Sequence, residues 1–379
     1  MDQKKYEEAL RKKIINALID QGFKINPHIR LDGSSKNSYR AIQQKSKSEQ
    51  IHIHRSFLKN NLDLVKEYLP NPKEIIPENI DLELIEVLPY SLEEKLFRWW
   101  NFIWWSIPYQ RAYGRQMRFI LWDKSHNAPF GLIGLQSPIL KLSVRDNFLN
   151  IPYKQKTILI NKSMQAQRIG ALPPYNNLIG GKMVALALTC NELRKKYWDK
   201  YKGRRTIIKK RIIKPDLLFI TTSSAFGKSS IYNRLKYYED KVAISLGYTK
   251  GYGTFHIPEY IYSMLIQYLN LMGVETDTSF GNGPSRKFKL ISNALHHLKL
   301  RNLNRHNIKR EYFLFPLVID LKRVIENKCS IRYVDRGLTQ LTEYWKQRRA
   351  IPRSIRCNNW NSQSVKSYVD SQIIKYDLN

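Results

Sequence analysis

The chain has 379 residues, 42% of them hydrophobic, enough for a large buried core and for about two or three structural units. Its 64 Lys and Arg against 32 Asp and Glu leave a formal net charge of +32, which points to polyanions, nucleic acid first and an anionic membrane surface second. The widely spaced Cys190, Cys329 and Cys357 argue against a disulfide framework, no His or Cys cluster has metal-ligand spacing, and no apolar run is long enough to span a bilayer. The expectation is a soluble cytoplasmic protein with no metal site and no membrane partner.

In chain order, residues 3–20 carry apolar side chains at helical spacing, and 38–69 continue as helix with a break near Ile51, stopped by Pro70 and Pro72. Residues 73–90 read as extended and carry the segment 82–87. The block 97–105 holds four tryptophans and two phenylalanines, a core or junction element, or, if exposed, a platform for bases. A hairpin pairs 118–123 with 129–135, and 143–146 falls in a loop. Residues 157–161 read as a short central strand, 170–176 as an irregular loop, and 178–197 as a helix apolar almost all round. A charge run over 195–214 precedes a second strand at 216–221 and a second helix at 229–238. Closing strands follow at 242–246 and 253–257, an amphipathic helix at 258–271, a basic helix at 287–303 and a strand-like 313–320. The tail from Arg336 is helical and basic. The division is a helical region 1–90, an α/β core 91–275 and a basic, mainly helical region 276–379.

Two glycine loops feed expected helix starts, where free N–H groups and the helix dipole favour an anion. The first contributes Asn177, Gly180, Gly181 and Lys182, the second Gly227, Lys228 and Ser229. These seven residues are the candidate phosphate site, and no cofactor is identified. The Gly227-Lys228-Ser229 ending resembles a nucleoside-triphosphate loop, but Thr222 stands where its first glycine belongs. Asp216 with Glu239 and Lys241 has the letters of a metal-dependent nuclease site, with a helix expected between them. Nuclease and NTPase activities are therefore minor readings. Lys202, Arg204, Arg205, Lys209, Lys210 and Arg211, with Arg286 and Lys287 in the loop 281–287, are the candidate nucleic-acid contacts, without a sequence-reading motif.

The order of hairpin, central strand, glycine loop, buried helix, strand, helix and closing strands resembles the GNAT acyltransferase fold. There the loop after the central strand offers N–H groups to coenzyme A pyrophosphate. Asn177 and Lys182 depart from that loop's pattern, which puts acyl-coenzyme A use in question. The fold expected is α+β, with a GNAT-like central mixed sheet, a helical N-terminal extension and a basic C-terminal region.

Longer segments resemble the DruA proteins of the Druantia anti-phage defence systems. They are 97–102, 113–123, 143–146, 166–176, 180–194, 216–222, 232–235 and 243–248, so the likeness runs from about Gly22 to Leu321. The resemblance implies one component of a multi-gene bacterial antiviral system that also encodes a very large helicase-like protein, and it carries over no catalytic residue. The reading is a nucleic-acid-binding defence component. The alternative is an enzyme with a degenerate acyltransferase-like site acting on nucleic acid or a small molecule.

Overall fold

The computed structural model describes residues 3–31, 33, 35–108, 114–207, 209–276 and 286–378. The chain opens with helix α1 (Gln3–Asp20), a small hairpin of β1 (Phe23–Asn26) and β2 (His28–Leu31), and helices α2 (Lys36–Ile53), α3 (Arg55–Asn60) and α4 (Leu62–Glu67). Strand β3 (Leu82–Glu86), helix α5 (Leu92–Ile103), strands β4 (Gln116–Asp123) and β5 (Ala128–Gln136), and helices α6 (Ser143–Phe148) and α7 (Lys156–Asn161) follow. Next come β6 (Ser163–Ala171), α8 (Gly180–Ala187), α9 (Asn191–Tyr201), β7 (Phe219–Ser223), the short pair β8 (Lys236–Tyr237) and β9 (Asp240–Lys241), and β10 (Ile244–Tyr248). Helices α10 (Glu259–Leu271) and α11 (Arg286–His297), strand β11 (Glu311–Pro316) and helices α12 (Leu321–Ile325), α13 (Leu338–Trp345), α14 (Ile351–Arg356) and α15 (Val365–Tyr376) complete it.

Seven strands form one mixed sheet in the order β10-β11-β7-β6-β5-β4-β3. Every neighbouring pair is antiparallel except β6 and β7. The pleat sends alternate residues to opposite faces. On β4, Phe119 and Leu121 enter the core with Val184 of α8 and Trp345 of α13. Ile120 and Trp122 enter the opposite core with Trp99 and Trp100 of α5 and Val369 of α15. The sheet is thus buried between helical layers. A third cluster joins Leu10 and Ile14 of α1 to Leu265 and Leu269 of α10 and Leu290 of α11, far apart in sequence.

The hairpin expected at 118–135 and the helices at 3–20 and 258–271 are present. Residues 157–161 are helical, not a strand: a short apolar run fits either state, and α7 takes it. The central strand is β6, whose pattern is masked by Gln165, Gln167 and Arg168. Arg168 is buried, with its guanidinium donating to Asn101 Oδ1 and Pro108 O. The expected helix 178–197 is two helices. Thr189 Oγ1 donates to Leu186 O at the end of α8, and Cys190 Sγ accepts from Leu193 N at the start of α9. No helix spans 229–238; Arg234 and Tyr238 adopt φ of 60° and 49°, and the segment runs as turns around the short strand β8. Residues 253–257 form no strand, and β11 lies beside β7 and β10. Residues 143–146 open α6 rather than a loop.

Gly180 sits where α8 meets the sheet. A Cβ there would lie 2.6 Å from Tyr175 O and 2.8 Å from Ala171 Cβ. Replacing Gly180 with Val should cost about 1–3 kcal/mol through overpacking, read as a lower urea midpoint.

His256 and His306 lie buried with ring centroids 5.4 Å apart. Burial pushes His256 down to about 4; burial, then His256 and Arg310, push His306 down to about 3. As pH falls below the ordinary 6.5, the unfolded chain takes up these protons before the folded one. Stability is therefore complete above 6.5 and lost as pH falls toward about 4, by ~1.4 kcal/mol per pH unit per ring. Urea unfolding across that window should show the slope, and a His306→Gln variant should flatten it.

Candidate nucleic-acid interface

The parallel ladder between β6 and β7 has three rungs, Ser163 with Phe219, Met164 with Ile220 and Gln165 with Thr221. Past Gln165, β6 stays paired with β5 as far as Ala171 but leaves β7. Gln167 is passed over in that register, so a bulge sits at the fork. The parting strands open a cleft of about 750 Å³. Thr222 Oγ1 reaches into it and donates to Ala166 O at 2.8 Å, replacing a ladder bond. Helix α2 supplies Arg40 and Lys47, and α15 supplies Tyr368.

Arg40, Lys47, Arg168, Lys182 and Arg310 line the cleft, and no Asp or Glu does so among the described residues. Burial, then Lys375, pushes Lys47 down to about 8 from 10.5, and its Nζ donates to Ile103 O at 2.8 Å. Burial, then Arg349 and Arg234, likewise pushes Lys182 down to about 8. The aromatic wall includes Trp104, Trp105, Phe226 and Phe255. Trp104 Nε1 donates to Ala171 O at 3.0 Å, while Trp99 and Trp100 are buried in the core. The aromatic block at 97–105 therefore divides between packing and the cleft.

The seven candidate phosphate residues do not converge on one point. Gly181 and Lys182 line the cleft, but Lys182 Nζ donates to Ile231 O at 2.9 Å and Asn233 O at 3.3 Å, tying down the turn after β7. Gly180 serves packing. Asn177 Nδ2 donates to Trp360 O at 2.8 Å and holds the C-terminal segment. Gly227 has φ of 71° in a turn that no helix follows, and Lys228 is exposed. Ser229 is buried, its N–H directed to Glu311 Oε2 at 3.4 Å. The strand-loop-helix that a nucleoside-triphosphate loop requires is absent here. Asp216 is paired with Lys162 at 3.0 Å, and Asp240 with Arg336 at 3.3 Å. Among the described residues no cluster of His, Cys, Asp or Glu could hold a metal ion.

The charge run forms an excursion after α9, closed by a bridge between Arg205 and Ile212. Lys202, Arg204, Arg205, Lys209, Lys210 and Arg211 are all exposed there, and none has an ion pair among the described residues. Arg211 reaches Thr157 Oγ1 at 3.4 Å. Ile207 is 80% exposed and Ile212 62%, so apolar tips stand among the cations. Residues 281–285 lie outside the described residues. Arg286 donates to Thr276 O at 3.0 Å, and Lys287 pairs with Glu259.

Gln165 and Arg310 are site residues that the sequence alone did not mark; they are remote from each other along the chain and fall in no motif, so only the folded fork reveals them. Phe226 lies in the second glycine loop, where only its neighbours Gly227, Lys228 and Ser229 carried an expected role. Among the described residues, no helix is long and apolar enough to cross a membrane.

The family model described as "Druantia protein DruA" matches residues 33–327. A Druantia protein DruA from Escherichia coli (strain UMEA 4076-1) is 31% identical over 387 residues, spanning 98% of this chain and 94% of the relative. No solved structure matches. With the family model across most of its length and a relative aligned nearly end to end, the chain belongs to the DruA family of Druantia proteins.

Proposed function

We propose that this chain is a component of Druantia anti-phage defence that binds nucleic acid through its basic surfaces. The observation that carries the reading is the excursion after α9, where six exposed cations lack carboxylate partners among the described residues. Surface cations in ordinary proteins are interspersed with acids; an unneutralised row is matched to a row of phosphates. Apart from Arg211, whose guanidinium contacts Thr157, these side chains have no hydrogen bond to give up among the described residues, so each can release a counterion on meeting a phosphate. Such contacts position the protein without reading sequence. A large helicase-like protein of the same system is the expected partner, testable by copurification from cells carrying the whole system.

A second reading rests on the sheet. A hairpin, a bulged central strand, a glycine-opened helix, one parallel neighbour and two antiparallel closing strands are the features that support a GNAT-like reading of it. The cleft opens beside the start of α8, where such enzymes present N–H groups to coenzyme A. On this reading coenzyme A binds the intact protein in calorimetry, and absence of heat returns Gly181 and Lys182 to a structural role.

For the leading reading, fluorescence anisotropy with DNA should give an affinity that falls linearly in a log–log plot against salt. Replacing Lys209, Lys210 and Arg211 together with Ala should weaken strands of any sequence alike. It should also flatten the slope by roughly 0.9 for each phosphate that the variant no longer neutralises. A salt-independent affinity, or none at low salt, sinks the reading. Affinity should also decline as pH rises through about 8, where Lys47 and Lys182 lose their charge.

A further inference from the structure

Two polar atoms in the cleft are buried without a hydrogen-bond partner among the described residues: Gln165 Oε1 and Arg310 Nε. Gln165 occupies the last rung before β6 and β7 part, and Arg310 immediately precedes β11 on the β7 side. One is an acceptor lacking a donor, the other a donor lacking an acceptor. Buried groups of this kind are costly unless something satisfies them. A ligand that satisfies both carries N–H groups and oxygens together, as a base with its phosphate does.

The walls agree with that chemistry. Trp105 lies against β6 so closely that a Cβ on Gly170 would meet its ring at 3.0 Å. The Phe226 ring lies 5.4 Å from the Arg40 guanidinium, and the Phe255 ring 5.4 Å from that of Arg310. Rings beside cations in a groove without carboxylates are how proteins hold an unstacked base and its backbone. In a duplex the base faces are covered by their neighbours, and a cleft between two parting strands cannot reach them. A volume of about 750 Å³ matches a ligand of nucleotide or dinucleotide size.

We propose that this cleft takes an unpaired nucleotide of a single strand, its base among Trp105, Phe226 and Gln165 and its phosphate at Arg310 and Arg40. The inference rests on the nucleic-acid reading above and adds a preference for single strands over duplex, which the basic excursion does not supply.

The test measures anisotropy of the full chain with labelled oligo-dT and with a hairpin duplex of equal length at one salt concentration. Oligo-dT should bind about tenfold tighter or better. Phe226→Ala and Arg310→Gln should each weaken oligo-dT about tenfold and leave the duplex unchanged. Phe226 is in a half-exposed turn, so F226A keeps the test decisive if the Arg310 variant fails to fold. Equal affinities for the two probes, unmoved by F226A, overturn the inference while leaving nucleic-acid binding intact. Binding of neither probe by the unaltered chain instead overturns the earlier reading. Displacement of oligo-dT by ATP or coenzyme A at comparable concentration overturns the strand as occupant and assigns the cleft to a free nucleotide.

Discussion

Three rungs of parallel pairing between β6 and β7 govern this molecule. A fourth rung would close the sheet and leave no cleft. Stopping at Gln165 leaves the edges of two interior strands without each other's hydrogen bonds, at about 1–3 kcal/mol for each buried group left unmet. The chain meets part of that cost with Thr222, whose hydroxyl takes Ala166 O. The rest of the opening is lined by side chains brought from other layers.

The turn after β7 shows how such an opening is kept in shape. Glu311 is a buried carboxylate that accepts from Ser229 N, Asn233 Nδ2 and Ser245 Oγ, with no cation beside it in that set. From the other side Lys182 grips the carbonyls of Ile231 and Asn233. The turn is thus held by one buried acid and one half-buried base that do not pair with each other. Lys182 stays hydrogen-bonded to two carbonyls of the turn, which a helix there would have consumed internally.

Legibility in the sequence followed the kind of signal. Helices with an apolar stripe, such as α1 and α10, and the hairpin of β4 and β5 were readable because periodicity and turn residues set them locally. Strand β6 was not, because its polar Gln165, Gln167 and Arg168 serve a cleft and a buried hydrogen-bond network rather than a pleated pattern. The glycines at 180 and 181 were readable as exceptional; Gly180 proved exceptional for packing against Ala171 and Tyr175. Basic residues 202–211 were legible as a row because exposure is what unpatterned charge predicts. Cleft residues such as Gln165 and Arg310 were illegible because they are neighbours in space alone.

Tyr368 of α15 stands in the wall of the cleft beside α2, its hydroxyl directed to the same Ile103 O that accepts from Lys47, and Trp104 meets its ring edge-on at 5.4 Å. During synthesis the sheet can pair as soon as β11 leaves the ribosome, yet the cleft lacks that wall until residue 368 has followed. A ribosome-bound intermediate would carry the cations of residues 195–214 without a finished pocket. Charge comes early in the life of this chain, and the last wall of the cleft comes late.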